Sequence, residues 1–301
     1  MIKDSNSGAV WRRWIKASYA VGVLALVTAC SGGGGGGGGS SPKPHFEKTT
    51  FDNLPAVRDN ITGNVWAVQL WPVGLNSVTP KAEALLAVAD LPDAVRQEYF
   101  PFVNGNVIKA SNPVPDSVWA VDFGKQSLGR MSNEATADAT LKTWVLLQQG
   151  SLPTTSFLNL SNGTVTQGSS LQWSLCSEGA TYDSNQRKCT GTPQLYSLTE
   201  ANARASKATW GGRTGWRLPT KLELQSLLLL SNAVSNQPML VEPFASADAL
   251  KPTQPLEYLT STVYTQNDLL WVVNFAGSGD IGGVEAINKV AVAYVRLVRD
   301  L

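Results

Sequence analysis

The sequence predicts an α+β fold arranged as two related halves. Helix-start motifs and apolar, strand-like runs both occur in the later half, and several stretches of the earlier half recur there in the same order. Helices and strands that do not alternate regularly along the chain are typical of α+β domains. We therefore divide the chain into residues 1–30, 31–44, 45–152 and 153–301.

Two capping boxes predict the helices of the later half. Ser197 with Glu200 predicts a helix over residues 198–210 that ends at the two glycines that follow. Thr220 with Glu223 predicts a second helix start, because the threonine hydroxyl accepts from a free amide and the glutamate reaches back to the cap. Leucines then follow at the spacing of one buried helix face, and they are Leu224, Leu227 and Leu228.

Turn and strand signals surround these helices. Asn162 and Gly163 predict a tight turn between short strands. The runs "LLWVVNF" (269–275) and "KVAVAYVRLVR" (289–299) are apolar at most positions. Such runs are expected for strands in the middle of a sheet that is covered on both faces.

An internal comparison indicates a repeat. The stretch "VWAVDFGKQSLG" (118–129) parallels "LWVVNFAGSGDIG" (270–282), and the strands that follow place Trp144 opposite Val295. Leu91-Pro92 and Leu218-Pro219 also correspond. Tryptophans that recur at equivalent places are expected to be core residues, and they are Trp66, Trp119, Trp173 and Trp271.

The first 44 residues predict export and a tether. Basic residues precede a short apolar run that ends in Val27-Thr28-Ala29-Cys30, which is similar to a bacterial lipobox. We expect residues 1–30 to be a lipoprotein signal peptide and Cys30 to be lipidated, which anchors the protein to a membrane. Ser31, where an aspartate would retain a lipoprotein in the inner membrane, favours the outer membrane of a bacterial cell envelope. Residues 31–44 are rich in Gly and Ser and predict a flexible tether.

Cysteine and histidine content restricts the chemistry. Cys176 and Cys189 bracket a polar loop, and in an oxidising envelope we expect them to form a disulfide. His45, the only histidine, lies at the end of the tether. A histidine-dependent triad, a His-ligated zinc site and a histidine general base are therefore not expected in the folded part. We predict no catalytic residue, no metal site, no cofactor and no enzymatic activity.

The charge of the chain is balanced overall but uneven locally. Of the 24 Lys and Arg and the 23 Asp and Glu, four basic and one acidic residue lie in residues 1–30, so 20 basic and 22 acidic residues remain. This balance gives no support for binding to nucleic acid. Residues 201–222 nevertheless hold no Asp or Glu, and their basic residues are Arg204, Lys207, Arg213, Arg217 and Lys221.

This basic run has two interpretations. It could hold a sulfate, carboxylate or phosphate group, since arginine makes forked contacts with such anions. It could equally be a solvated helix face in which Arg217 turns inward as a brace. Three aromatic residues outside the repeated strand positions, Trp71, Trp210 and Tyr264, could stack on a sugar ring or pack half-buried. The candidate ligand-binding residues are therefore Trp210, Arg213, Arg217, Lys221 and Tyr264.

Taken together, the motifs of the second half resemble a known bacterial family, the Lcl C-terminal domain. The resemblance covers residues 157–301 and rests on "NGTVTQGSSLQW" (162–173), "CSEGATYDSNQRKCTG" (176–191), "TGWRLPTKLELQSL" (214–227), "YLTST" (258–262) and "AYVRLVR" (293–299). The first half looks like a degenerate copy, because it lacks an arginine before Leu91 and a counterpart of residues 258–262.

The resemblance implies a fold and a class of function. The family is thought to share the fold of C-type lectins and formylglycine-generating enzymes, so we expect two tandem modules of that type, each with a mixed sheet and two helices. The founding member is a surface adhesin that recognises sulfated polysaccharide. We therefore expect an anchored adhesin that binds a polysaccharide or a surface protein through loops of the second module. The alternatives are a structural or assembly component of the envelope, and an enzyme of the sulfatase-modifier type, which would need free thiols or histidine ligands.

Overall fold

The computed structural model describes most of the chain that follows the tether. The described residues are 44–68, 70, 79–110, 117–132, 141–144, 146–150, 156–230, 238–247, 256–264, 268–276 and 283–301. The expected signal peptide, Cys30 and all of the tether except Pro44 lie outside these ranges. No helix within them is long and apolar enough to span a membrane.

The described residues confirm an α+β fold in which strands predominate. The helices are α1 (Ala82–Ala89), α2 (Asp93–Tyr99), α3 (Leu198–Lys207), α4 (Lys221–Gln225) and α5 (Phe244–Ala247). The strands before residue 153 are β1 (Phe46–Phe51), β2 (Leu54–Asp59), β3 (Val65–Ala67), β4 (Val107–Lys109), β5 (Ser117–Asp122), β6 (Ser127–Ser132), β7 (Leu141–Thr143) and β8 (Leu146–Gln148). Those after it are β9 (Phe157–Asn159), β10 (Thr164–Gln167), β11 (Leu171–Ser174), β12 (Thr181–Asp183), β13 (Lys188–Thr190), β14 (Glu257–Val263), β15 (Leu269–Asn274), β16 (Gly283–Asn288) and β17 (Val298–Asp300).

Each half contributes a four-stranded sheet with the same strand order. The first half forms β1-β2-β3-β8, and the second forms β9-β10-β11-β17. In both sheets the first three strands are consecutive and antiparallel, and the last strand of the half returns beside the third. Trp66 pairs with Leu146 in the first half, and Trp173 pairs with Val298 in the second. Trp144 is therefore at the position equivalent to Arg296. The residue equivalent to Trp144 is thus one position later in the chain than Val295, which the sequence comparison predicted.

A seven-stranded sheet crosses from one half to the other. Its order is β14-β15-β16-β6-β5-β4-β7, and β16 meets β6 through the pair Val284 and Leu128. Val284 also pairs with Val273 in its own hairpin, and Leu128 pairs with Val121 in its own. The halves thus join edge to edge through equivalent strands. Gly283 permits the contact, because a Cβ at that position would lie 2.2 Å from the carbonyl oxygen of Leu128.

The long strand expected over residues 289–299 is wrong as a single element. Ala293 bridges Tyr196, Tyr294 makes a parallel bridge to Tyr258, and only Val298–Asp300 forms a strand. The reason is topological, since this segment leaves the edge of the seven-stranded sheet and enters the four-stranded sheet. The parallel pairing of β7 with β4 occupies the matching place in the first half.

The helix starts are confirmed, but the expected ends are not. Ser197 and Thr220 both form complete capping boxes, with Glu200 and Glu223 respectively. Helix α3 stops at Lys207, and Trp210–Gly212 forms a separate 3-10 turn in which Gly211 has a φ of 57°. Helix α4 is five residues long, so the leucines that follow it are buried from a turn rather than from a helix face.

The recurring tryptophans are core residues, as expected. Their relative exposure is 4% or less for Trp66, Trp119, Trp173 and Trp271. Trp66 stacks on Trp144 at 4.3 Å between ring centroids. The indole N–H of Trp173 donates to Oε1 of Gln167 at 2.7 Å. The four recurring tryptophans belong to one continuous core that includes residues of both halves.

Candidate functional site

Arg217 holds together the corner that precedes helix α4. Its guanidinium donates to both carboxylate oxygens of Glu223, each at 2.8 Å, and Nη2 also donates to Oδ1 of Asp300 at 2.7 Å. The hydrogen bonds to Glu223 raise the pKa of Arg217, outweighing the opposing effect of partial burial. Two backbone hydrogen bonds join Arg217 to Val298. Of the two interpretations, the inward brace describes this arginine.

Glu223 serves the brace and the helix cap at once. Its Oε2 accepts from the backbone N–H of Thr220 at 2.7 Å, while Oγ1 of Thr220 accepts from the N–H of Glu223 at 3.2 Å. The carboxylate is therefore occupied by a guanidinium and an amide. Because both charged groups of the corner are engaged within the protein, an anion would have to displace a carboxylate to reach Arg217.

Lys221 points away from the surface and into the first half. Its Nζ donates to Oδ1 of Asp90 at 2.7 Å and to the carbonyl of Gln126 at 2.6 Å. The two charged side chains are 6% and 8% exposed. Nζ also lies 3.9 Å from the ring centroid of Trp271. Lys221 is thus a buried link between the halves, a position that does not fit the ligand contact that the basic run suggested.

The two candidate aromatic residues occupy different places. Tyr264 is half-buried and packs edge-on against Trp271, with 5.0 Å between the ring centroids. Trp210 is also half-buried, and its indole N–H donates to Oε1 of the buried Glu178 at 2.8 Å. Apart from Arg217, the candidates therefore form two groups. Lys221 and Tyr264 both contact Trp271, whereas Trp210 and Arg213 lie on the turn that precedes Arg217.

A further arginine, Arg299, contacts the exposed turn formed by residues 210–215. Arg299 donates from Nε to the carbonyl of Thr214 at 3.1 Å and from Nη1 to Oε1 of Gln172 at 2.8 Å. Arg213, which is exposed, is the neighbour of Thr214 in the chain. Across the described ranges, no carboxylate forms an ion pair with either arginine. Arg299 is not among the residues that the sequence predicted, although it stands in the closing Val-Arg motif.

Neutral oxygens hold the guanidinium of Arg299 in place. Gln172, its side-chain partner, is buried and donates from Nε2 to Oγ1 of Thr164 at 2.9 Å. That hydroxyl in turn donates to Oδ1 of Asn162 at 2.6 Å. A positive charge is therefore oriented at the surface by groups that do not neutralise it. Such an arginine can bind an external carboxylate, sulfate or phosphate by donating hydrogen bonds to it.

The expected disulfide is confirmed. Cys176 and Cys189 are bonded, with 5.5 Å between their Cα atoms, and both are buried. The bond fastens hairpin β12–β13 to the end of β11. Within the described ranges, no three His, Cys, Asp or Glu side chains are grouped as a metal site would require.

Comparison with known proteins assigns the second half to a family. Residues 163–299 match the family model of the Lcl C-terminal domain. No curated protein and no solved structure matches the chain. The resemblance that the motifs indicated is therefore confirmed over residues 163–299.

Proposed function

We propose that this protein is a lipid-anchored binding protein or adhesin of the bacterial cell envelope, in which two lectin-like modules lie side by side. The second module binds a glycan or another extracellular ligand through its loops. The shared strand order of the two four-stranded sheets supports an origin of the modules by duplication. The lipobox-like Cys30 and the tether support an anchor in the outer membrane.

The observation that carries the binding proposal is the turn between Trp210 and Gly215. Arg213 and Arg299 present positive charge there, and neither forms an ion pair with a carboxylate of the described residues. Trp210 adds a half-exposed indole whose N–H is held by Glu178. An arginine and an aromatic ring on one turn are suited to an anionic sugar, since the arginine can bind the anionic group and the ring can pack on a sugar face.

The proposal changes which basic residues contact the ligand. Arg213 and Trp210 remain ligand residues, and Arg299 joins them. Arg217 and Lys221 support the loops instead, because their charges are matched by Glu223, Asp300 and Asp90. A binding role also agrees with Cys176 and Cys189 being joined, since thiol catalysis needs a free thiolate.

Surface plasmon resonance with immobilised polysaccharides tests the binding proposal. A sulfated dextran, a polyuronate and neutral dextran serve as the three probes at low and high salt. We expect the charged polymers to bind with an affinity that falls as salt is raised. The double variant Arg213→Ala, Arg299→Ala should reduce that affinity at least tenfold, whereas Lys125→Ala, Lys188→Ala, which removes the same charge elsewhere, should not.

Two outcomes would count against the proposal. Absence of binding to all three polymers at low salt would favour the alternative, a structural component that engages protein partners. Unchanged binding by the arginine variant would exclude the turn as the site. The anchor is tested separately by incorporation of a labelled fatty acid in bacteria, which we expect to be lost in Cys30→Ala.

A further inference from the structure

We propose that the first half carries a second ligand site, which takes uncharged, hydroxyl-rich groups such as those of a neutral saccharide. The site is a surface depression between the start of helix α2, the turn at Asn104 and Gly105, and the turn that joins β5 to β6. Its volume is about 530 Å³, within the range of small-molecule sites. It opens to solvent and involves none of the residues of the turn 210–215.

A buried arginine organises the polar groups of the depression. Nε of Arg96 donates to Oδ1 of Asn104 at 2.9 Å, and Nη2 donates to Oδ1 of Asp93. Nδ2 of Asn104 donates onward to Oε1 of Gln97 at 2.9 Å. Three exposed side chains are thereby ordered by one guanidinium that is itself 9% exposed. Ordering of this kind lowers the entropy lost when a ligand binds.

The same contacts leave both acceptors and donors for a ligand. Oδ2 of Asp93 and Nε2 of Gln97 make no hydrogen bond to any other described residue. A carboxylate oxygen accepts and an amide nitrogen donates, while each hydroxyl of a ligand can do either. Neighbouring hydroxyls of a sugar can therefore bridge this pair of groups.

The charge of the depression favours a neutral ligand. Among the described residues that line it, Asp93 and Arg96 alone are charged, and they are paired with each other. Neither sign of ligand charge is thus attracted, in contrast to the turn that carries Arg213 and Arg299. Phe123 contributes to the floor but is only 2% exposed, so hydrogen bonds rather than ring stacking would decide selectivity. We expect affinities near the millimolar range, as for a shallow polar site.

Part of the lining consists of small residues, at which a larger side chain can be introduced to fill the depression. Gly105 has a φ of +73° and open space where a Cβ would be, and Ala94 lines the depression from helix α2. Ala94→Trp should occupy the cavity without removing any of the hydrogen-bonding groups. Glu98→Trp places the same bulk on the same helix outside the depression and is the matched control.

Ligand-observed NMR of the full chain in detergent, with methyl glucoside, mannoside and galactoside as probes, tests this site. We expect a saturable signal from at least one glycoside, loss of that signal in Ala94→Trp, and retention in Glu98→Trp. Gln97→Ala, which keeps the cavity but removes the amide, should weaken binding about tenfold. This second variant keeps the test valid if the tryptophan disturbs the fold.

The site is excluded if none of the three glycosides gives a saturable signal. It is equally excluded if the signal persists unchanged in both Ala94→Trp and Gln97→Ala. Binding of anionic polymer through Arg213 and Arg299 should be the same in the wild type and in Ala94→Trp. The two proposals can therefore fail independently.

Discussion

Both halves place an arginine at the corner formed by the Leu-Pro pair, but the arginine follows the pair in one half and precedes it in the other. In the second half Arg217 precedes the Leu-Pro pair and donates from Nη1 to the carbonyl of Leu218 at 3.4 Å. In the first half Arg96 follows the pair and donates from Nη1 to the carbonyl of Leu91 at the same distance. The first half therefore retains a brace that its sequence seemed to lack. In both corners a guanidinium contacts the carbonyl of the leucine, although the arginine occupies a different position in the chain.

The centres of the two sheets differ more deeply. Trp144 stacks on Trp66 in the first half, whereas the equivalent residue in the second half is Arg296. Arg296 is fully buried, donates to the carbonyls of Ser174 and Leu175, and lies 4.9 Å from the ring centroid of Phe244. Similar strand order can therefore enclose either an aromatic stack or a buried guanidinium. Topology is shared between the halves, while the packing chemistry is not.

The largest expected effect comes from breaking the link between the halves. Lys221→Ala would leave the buried carboxylate of Asp90 without its cation, and we expect a loss of about 3–5 kcal/mol in the free energy of unfolding. Urea denaturation followed by tryptophan fluorescence measures it. Lys125→Ala, at a pair 3.8 Å apart with a lysine that is 75% exposed, should change stability by less than about 0.5 kcal/mol. A loss of similar size in both variants would show that burial of the pair is not the cause.

The next comparison sets the two corner arginines against each other. Arg96→Ala removes a side chain that is 9% exposed and should destabilise by about 3 kcal/mol, while Arg217→Ala, at 33% exposure, should cost about 2 kcal/mol. Chemical denaturation of the two variants under one set of conditions gives the order. If Arg217→Ala is the more damaging, its contacts with β17 matter more than burial.

A smaller difference is expected at the equivalent tryptophans. Trp173→Phe loses the hydrogen bond to Gln167, whereas the buried indole N–H of Trp66 has no hydrogen-bond partner among the described residues. We expect Trp173→Phe to be about 1–2 kcal/mol more destabilising than Trp66→Phe, because Oε1 of the buried Gln167 loses its donor while Nε2 keeps its bond to Ser226. Thermal unfolding of both variants is the measurement, and equal losses would contradict the expectation.

The smallest effects concern pH and should have opposite signs in the two halves. Burial favours a higher pKa for Asp59, but hydrogen bonds from His45, Thr62 and the amide of Ile61 outweigh it and lower that pKa. Stability from Asp59 is thus present above its unfolded pKa and lost as pH falls through the folded pKa. Burial and then the charge of Glu285 raise the pKa of Glu257, so stability from that group is present below its unfolded pKa and lost as pH rises through the folded one.

Substitution by the neutral amide separates these two contributions. At neutral pH we expect Asp59→Asn to be less stable and Glu257→Gln more stable than the wild type, each by about 1 kcal/mol or less. Both differences should shrink in acid below the unfolded pKa values. Melting temperatures measured from neutral pH to pH 3 provide the check, and a gain from Asp59→Asn at neutral pH would reverse the assignment.

Local chemistry made much of the second half predictable. Ser197 and Thr220 cap helices because a hydroxyl three residues before a glutamate satisfies free amides wherever the segment lies. The recurring tryptophans were predictable as core because large apolar surface is buried in most surroundings. The strand at residues 289–299 was not, since an apolar run has the same appearance whether it stays in one sheet or passes between two.

The sequence by itself determined the capping boxes, the disulfide partners, the buried tryptophans and the family resemblance of residues 163–299. Only the tertiary structure decided where the charged side chains of the basic run point. Asp300 lies 83 residues from Arg217, Asp90 lies 131 residues from Lys221, and Gln172 lies 127 residues from Arg299. A long basic side chain takes its role from whichever acceptor the fold brings within hydrogen-bond reach. Arg217 and Lys221 became braces, whereas Arg299 meets neutral oxygens and forms no ion pair with a carboxylate of the described residues.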